Sequence, residues 1–345
     1  MINFIRAVVP VAVVSLAIAI LTPFTANATA GTVQDRMNEA LASWMFANKI
    51  TNAGMAVMRD NELVGSYGRN AMAAESPAQV ASLSKAITAV CVMTLVDDGH
   101  LRLGSRLDSL PPSFDKAVDL AHAAPGAKGI TIEALLRHRS RLTIDVTQGP
   151  GTGMPNVDAS VAELAARGLK QPLSTMPLSE VYNNVNYAIL GVVIESVTSE
   201  SYESYCSRMV LAPRGAHGRI GPGTRALGSF GGWEISAVDY AMFARAYDPR
   251  TRLLSPAAHA FISAQMNSKS PTASLGMFVV KTNSGRNLFH HGSWSSTATT
   301  PGQFAAFYAM WDNGIAVAVT TDQALTPAQQ NSLDNTLREA AYSRA

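Results

Sequence analysis

Charge is scarce in this chain. Only 15% of its 345 residues are Asp, Glu, Lys or Arg, the formal net charge is +2, and there is no long basic run. Nothing in this balance points to nucleic acid or an acidic surface as partner. Cysteine is scarcer still, with Cys91 and Cys206 the two present. A disulfide between them would need an oxidising compartment. Cys91 falls on an apolar helical stripe, where a buried thiol is common, so both are read as unpaired. Metal chemistry lacks its signatures: there is no His-Glu-x-x-His, and His290-His291 has no third ligand at suitable spacing. No Gly-x-Ser-x-Gly elbow occurs, which argues against an α/β-hydrolase. Gly221-Pro222-Gly223-Thr224-Arg225-Ala226 matches a dinucleotide pattern, but no strand signal precedes it. No metal and no cofactor are expected.

What is present begins with an export signal. Arg6 gives a minimal positive start, Ala7 to Leu21 is apolar apart from Pro10, and Ala26-Asn27-Ala28 has the small-x-small form of a cleavage site. Residues 1–28 therefore read as a signal peptide, with a secreted or periplasmic product and no membrane span left after cleavage. The apolar run approaches spanning length, so an uncleaved anchor is the competing reading. Residues 31–345 read as one domain, long enough for a large core.

Apolar periodicity orders that domain. Gln34 to Asn48 has a helical stripe through Met37, Leu41, Trp44 and Met45. Ala53 to Arg59 and Glu62 to Gly68 read as strands joined at Asp60-Asn61. Helices are expected over Thr131 to His138, Val157 to Arg167, Val185 to Thr198, Tyr202 to Met209, Ile235 to Tyr247 and Pro256 to Met266. Gly149 to Gly153 reads as a loop, and Pro213 to Gly232, rich in glycine, as a long surface loop near the site. Four strands follow, Leu275 to Lys281, Asn287 to His291, Phe304 to Trp311 and Ile315 to Thr321, before a helix from Pro327 to Ala341. Asn313-Gly314 marks a hairpin. The expected architecture is α/β (α+β): one antiparallel sheet built from both termini (about 31–80 and 270–345), flanked by helices, with a mainly helical insertion over about 81–269.

Within the insertion, Val80 to Leu95 reads as a buried helix with Ser82 at its start. Apolar or small residues recur at 83, 86, 87, 90, 91, 94 and 95, and Asp97-Asp98-Gly99 ends the run. Positions i and i+3 share a helix face, so the Lys85 amine can approach the Ser82 hydroxyl. Serine needs a neighbour to take its proton, and a lysine does this when burial lowers its pKa. The chain has only seven lysines, and this one lies in an apolar setting. A Ser-x-x-Lys match alone arises by chance about once per few hundred residues. Ser113-Phe114-Asp115-Lys116 is such a match, read as a solvated turn behind Pro111-Pro112 that opens no apolar helix. Two further clusters carry chemistry. Tyr182-Asn183-Asn184 precedes a helix, where Tyr182 can relay a proton and Asn184 can orient Lys85 and hold a substrate amide; an N-capping asparagine beside a packed tyrosine is the plainer reading. His290-His291-Gly292-Ser293 lies on a strand, where Gly292 permits close approach and the Ser293 N–H can donate to an oxyanion.

In this order, Ser82/Lys85, Tyr182/Asn184 and His290/Gly292 resemble the Ser-x-x-Lys, Tyr-x-Asn and His-x-Gly motifs of the serine β-lactamase and penicillin-binding-protein superfamily. The similarity is to the branch of class C β-lactamases, D-alanyl-D-alanine carboxypeptidases and related esterases. Leu95 to Leu103, Ile132 to Ser140, Tyr187 to Gly191 and Gly231 to Ser236 extend the resemblance over nearly the whole mature chain. It implies a serine hydrolase working through an acyl-enzyme on a small-molecule or peptide substrate, carboxypeptidase-like or esterase-like, with Ser82, Lys85 and Tyr182 catalytic and Asn184, His290, Gly292 and Ser293 holding substrate and oxyanion. A β-lactamase, or a non-catalytic penicillin-binding sensor on the same fold, is the alternative. Two departures stand out. Arg141 replaces a glycine usual after the His-x-Ser stretch. His290 stands where class C enzymes carry lysine, which favours a peptidase or esterase over efficient β-lactam hydrolysis.

Overall fold

Strands from both ends of the chain meet in one sheet. The computed structural model describes residues 31–149, 158–176, 180–294 and 304–343; the leader over 1–28 and the Pro150–Gly153 part of the glycine-rich loop lie outside them. After helix α1 (Val33–Asn48), strands β1 (Ala53–Arg59), β2 (Glu62–Arg69) and the short β3 (Ala78–Gln79) precede helix α2 (Ser84–Asp97). Helices α3 (Pro112–Val118), α4 (Ile132–Leu136), α5 (Val161–Leu169), α6 (Asn184–Thr198) and α7 (Tyr202–Cys206) follow. Then come β4 (Gly218–Ile220), α8 (Gly228–Gly231), β5 (Trp233–Ile235), α9 (Ala237–Ala244) and α10 (Pro256–Ser263). Strands β6 (Thr272–Ser274), β7 (Met277–Lys281), β8 (Arg286–Trp294), β9 (Phe304–Met310) and β10 (Ile315–Thr321) lead to α11 (Pro327–Tyr342). Among the described residues, seven strands form an antiparallel sheet in the order β2-β1-β10-β9-β8-β7-β6.

The period-2 alternation of strands divides the core in two. Met55 and Val57 of β1 face α1 and α11, joining Met37, Leu41, Trp44, Leu333 and Leu337. Ala56 and Met58 face the other way, onto the helical body around α2 and α6. The small β3 and β4 flank β5 as a second sheet inside that body. Among the described residues no helix is long and apolar enough to cross a membrane.

Four expectations are corrected. The 213–232 stretch is not a surface loop: β4, a 3₁₀ run over Pro222–Leu227 and α8 fill it, and Leu227, Ser229 and Phe230 are buried. Elements of three to six residues are too short to display a period. For the same reason β4 went unseen before Gly221; it belongs to an antiparallel sheet, not to a βαβ unit. Ser113 and Lys116 lie on a helix, α3, rather than in a turn, yet both are exposed, and Ser113 donates to the Ser196 carbonyl at 3.1 Å. Finally, Cys91 and Cys206 are bonded to each other, with Cα atoms 5.6 Å apart. The stripe that buries Cys91 is where α7 packs on α2, so an apolar setting and a pairing are compatible.

Candidate active site

Helix α2 is more than amphipathic. Every residue from Ser84 to Met93 is buried, as is Leu95, so it runs through the middle of the helical body. Gly99, at φ +76°, turns the chain after its end as expected. Polar side chains fix the helix in place. Thr88 donates to the Ser229 carbonyl at 2.5 Å and meets the Tyr202 hydroxyl at 2.7 Å, and Ser84 Oγ accepts the Trp233 N–H at 3.1 Å. Ser82 itself lies just ahead of α2, in a 3₁₀ turn over Ala81–Leu83. Ala81 has φ +46°, a left-handed conformation that non-glycine residues rarely adopt. Such strain clusters where a side chain must be presented at a fixed point.

Lys85 Nζ sits 2.9 Å from Ser82 Oγ and donates to the Phe230 carbonyl at 2.8 Å. The side chain is fully buried and makes no ion pair among the described residues. Loss of solvation pushes its pKa down to about 7, against a smaller opposing pull from Asp145. A lysine in that range has an available lone pair at neutral pH. With one N–H held by Phe230, that lone pair is free to face Ser82.

Tyr182 completes the cluster. Asn183 caps α6, accepting the Val185 N–H at 2.8 Å, which makes Tyr182 the last residue before the cap. Its ring stacks on His138 with centroids 4.5 Å apart, and Lys85 Nζ lies 4.9 Å from the ring centroid. Tyr182 is 40% exposed, but its hydroxyl end lies among Ser82, Lys85 and His290. Desolvation there raises the phenol pKa above its ordinary value, offset in part by a hydrogen bond with Ser82. The hydroxyl is 3.3 Å from His290 Nε2, and His290 Nδ1 is 2.6 Å from the Gly276 carbonyl. A carbonyl only accepts, so Nδ1 carries the proton and Nε2 presents a lone pair to Tyr182. Burial, aided by Lys85, pushes His290 down to about 3 and keeps it neutral.

Strand β8 closes the far wall. Beyond Phe289 it has no strand partner on the β7 side among the described residues, and Gly292 lies against the Val80–Ser82 turn. A Cβ at Gly292 would stand 2.5 Å from the Val80 carbonyl oxygen and 2.8 Å from the Ser82 nitrogen, so only glycine fits. His290 and Gly292 share the sheet face toward Ser82. His291 and Ser293 face the other way: His291 stacks on Phe307, and Ser293 Oγ accepts the Leu325 N–H at 2.9 Å. The two histidines thus project from opposite faces, and Ser293 has only its backbone to offer Ser82.

The geometry brings together Ser82, Lys85, Tyr182, His290 and Gly292. Asn184 differs from expectation. It is buried, its N–H donates to Asp145 Oδ2 at 3.1 Å, and its Oδ1 has no partner among the described residues, where the polar contacts of Lys85 are Ser82 and Phe230. Three participants escaped sequence reasoning. The Phe230 and Gly276 carbonyls leave no residue-type signal. His138 left one, the His-x-Ser pattern at residues 138–140; its Nδ1 accepts the Asn183 N–H at 3.2 Å and lies 3.0 Å from Asn186 Nδ2, which holds the Tyr182 turn. Arg141 takes φ +69°, the left-handed turn a glycine would supply, and its Nε donates to the Ser174 carbonyl at 2.5 Å.

Known proteins share this frame. Penicillin-binding protein 4 of Amycolatopsis lactamdurans is 30% identical over 256 residues, 70% of this chain and 65% of that protein. The chain therefore spans slightly less than two thirds of that relative's length. The D-amino acid amidase of Ochrobactrum anthropi SV3 superposes with a TM-score of 0.70 over 90% of this chain and 99% of that chain, at 15% identity. The octameric penicillin-binding protein homologue of Pyrococcus abyssi gives a TM-score of 0.69 over 87% and 76%, at 18% identity. At such identities the structural likeness is one of fold. The Beta-lactamase family profile matches residues 30–342, and with that span the chain belongs to the Beta-lactamase family.

Proposed function

We propose that the protein is a serine hydrolase that cleaves amide or ester bonds through an acyl-enzyme on Ser82, in the manner of a D-alanyl-D-alanine carboxypeptidase or an esterase. The observation that carries this reading is Lys85: a buried amine with no ion-pair partner among the described residues, 2.9 Å from the Ser82 hydroxyl and pushed down to about 7. Ser82 Oγ forms a bond to the carbonyl carbon as its proton passes to Lys85. The tetrahedral intermediate expels an amine or alcohol, which takes the Tyr182 proton, and the Lys85 ammonium restores that proton through the hydroxyl network. Water then attacks the ester, the acid leaves, and Ser82 regains its proton. Backbone N–H groups of Ser82 and Ser293 hold the oxyanion, each worth about 100-fold or more. Neutral His290 holds the Tyr182 hydroxyl in line, and Asn184 positions the substrate.

Export belongs to the same reading. It is supported by the signal-like residues 1–28 and by the Cys91–Cys206 bond, which suits an oxidising compartment. The deciding experiment uses a fluorophosphonate label and a p-nitrophenyl ester on purified mature protein. Labelling at Ser82 with many turnovers per chain is expected. A folded protein that stays unlabelled defeats the proposal, and one equivalent of product with no further turnover means an acylating sensor instead.

A further inference from the structure

A second polar cleft, of about 410 Å³, opens beside α4, and none of Ser82, Lys85, Tyr182 and His290 lines it. Arg137, Arg139 and Arg141 reach it from just past the end of α4, and Gln265 from just past α10. Ile130 and Leu173 give it an apolar wall. His138, between two of these arginines, turns the other way and stacks on Tyr182. The cleft and the catalytic cluster therefore lie on opposite sides of one short stretch of chain.

Arg137 is only 2% exposed. Its Nε donates to Glu133 Oε1 at 3.1 Å, its Nη2 to the Phe261 carbonyl at 2.7 Å, and its guanidinium lies 3.7 Å from the centre of the Phe261 ring. Its Nη1 is buried with no partner among the described residues, and the same holds for Arg139 Nε and Gln265 Oε1. Buried N–H groups are nearly always bonded, and a guanidinium cannot shed its proton to escape the cost. Burial pushes the Arg137 pKa down, Glu133 offsets this in part, and Arg139 adds to it. Arg139 and Arg141 make no ion pair among the described residues; Arg141 Nε donates to the Ser174 carbonyl at 2.5 Å, which leaves its terminal N–H groups. Three arginines thus face one carboxylate, the 44% exposed Glu133, for a formal lining charge of +2. Arg106, beside Gly129, is already paired with Asp108 at 2.6 Å. The stretches 150–157, 177–179 and 295–303 contain no charged residue. A cleft with surplus cations and buried donors that lack acceptors suits a ligand that is negative and only accepts.

We propose that this cleft is a second binding site, for a small organic anion whose doubly charged oxyanion head, a phosphate monoester or a dicarboxylate, is held by Arg137, Arg139 and Arg141 while its apolar body lies against Ile130 and Leu173. The guanidinium fork matches both head groups, and the +2 lining matches their charge. Arg137 Nη1 gains the acceptor it lacks. The Gln265 amide has both an oxygen and N–H groups, and turns the N–H side to the anion. Arg141 stands where a glycine is usual and holds the glycine-like φ of +69°, so the third cation is this chain's own addition. The site takes no part in acyl transfer and does not depend on the hydrolase reading.

The test is calorimetry on the full protein with phenyl phosphate and phenylmalonate as probes and benzyl alcohol as the uncharged control. At least one dianion is expected to bind, one per chain, with Kd on the order of 10⁻³ M or tighter. Benzyl alcohol should bind at least about tenfold more weakly, and whichever dianion binds more tightly names the head group. Arg139→Gln and Arg141→Gly should each weaken dianion binding about tenfold, the size of one charge-assisted hydrogen bond. Both side chains are half-buried, and glycine keeps the left-handed turn at 141. Lys85→Met removes the cation of the catalytic cluster and should leave the dianion affinity unchanged. Failure of both dianions to bind, equal binding of benzyl alcohol, or binding that is lost in Lys85→Met but kept in the arginine variants overturns the proposal. Should the variants fail to fold, wild-type crystals soaked in phenyl phosphate decide. A phosphate within hydrogen-bond distance of the Arg137 and Arg139 guanidinium groups supports the site, and a cleft that stays without one refutes it.

Discussion

Two segments of this chain share the pattern Ser-x-x-Lys, and both lie at the start of a helix. Around Ser113 and Lys116 the residues are exposed, the serine donates to the end of a neighbouring helix, and the lysine is solvated. Around Ser82 and Lys85 the lysine is fully buried, its head touching one hydroxyl and one carbonyl. Residue types and spacing are the same, but the solvent is not. Lys116 stays at the surface, whereas the protein around Lys85 penalises the ammonium and leaves a base. The motif acquires chemistry from the apolar helix behind it and from the strand and turn that close over it.

The contrast breaks most visibly at the serines. Ser82→Ala should lower ester turnover by on the order of 10⁴-fold or more and abolish fluorophosphonate labelling, while Ser113→Ala leaves both unchanged. Equal effects in the two variants would show that burial does not distinguish the motifs. At the lysines the expected loss is smaller but has a second, opposite reading. Lys85→Met should cut acylation by about 10²- to 10⁴-fold and raise the melting temperature. The sign follows from linkage. The folded pKa near 7 lies below the unfolded value, so the unfolded chain binds more protons between about pH 7 and 10, and stability is lost as pH falls through that window. Removing the amine relieves a cost on the order of a few kcal/mol at pH 7. Lys116→Met should leave stability within about 0.5 kcal/mol.

Gly292→Ala sharpens the comparison by opening the closed site. A new methyl would press on the Val80 carbonyl and the Ser82 nitrogen, both backbone, and neither can yield by a rotamer change. Acylation should fall about 10²-fold with a stability loss of about 1–3 kcal/mol by chemical melting. The gentlest probe is pH. Acylation should rise about tenfold per unit up to pH 7 and level off above it, as Lys85 loses its proton. A profile that is flat between pH 5 and 8 would remove Lys85 as the base.

Much of this was legible in the sequence, for identifiable reasons. Asn313-Gly314 marked the β9–β10 hairpin because a left-handed position, here φ +83° at Gly314, needs glycine. Thr131 marked the start of α4 because its hydroxyl accepts the Ala134 N–H at 3.2 Å. Ser82 and Lys85 stood out because a serine and a scarce lysine opened an apolar run. What escaped was carried by backbone or by pairing across long separations. The Phe230 carbonyl sits in a stretch whose elements are too short for periodicity. Asp145 is an ordinary acid until α6 is seen to begin beside it. The two cysteines are 115 positions apart, and only the packing of α7 on α2 shows that they meet.

That bond makes the chain between Cys91 and Cys206 a closed ring, with Ser82 outside it and Tyr182 within it. A protease that cuts once between Cys91 and Tyr182 leaves two polypeptides, one carrying the nucleophile and the other the phenol, joined covalently through the helix behind the nucleophile. The nicked protein then migrates as one species on a non-reducing gel and as two after reduction, and the halves of its catalytic centre cannot diffuse apart.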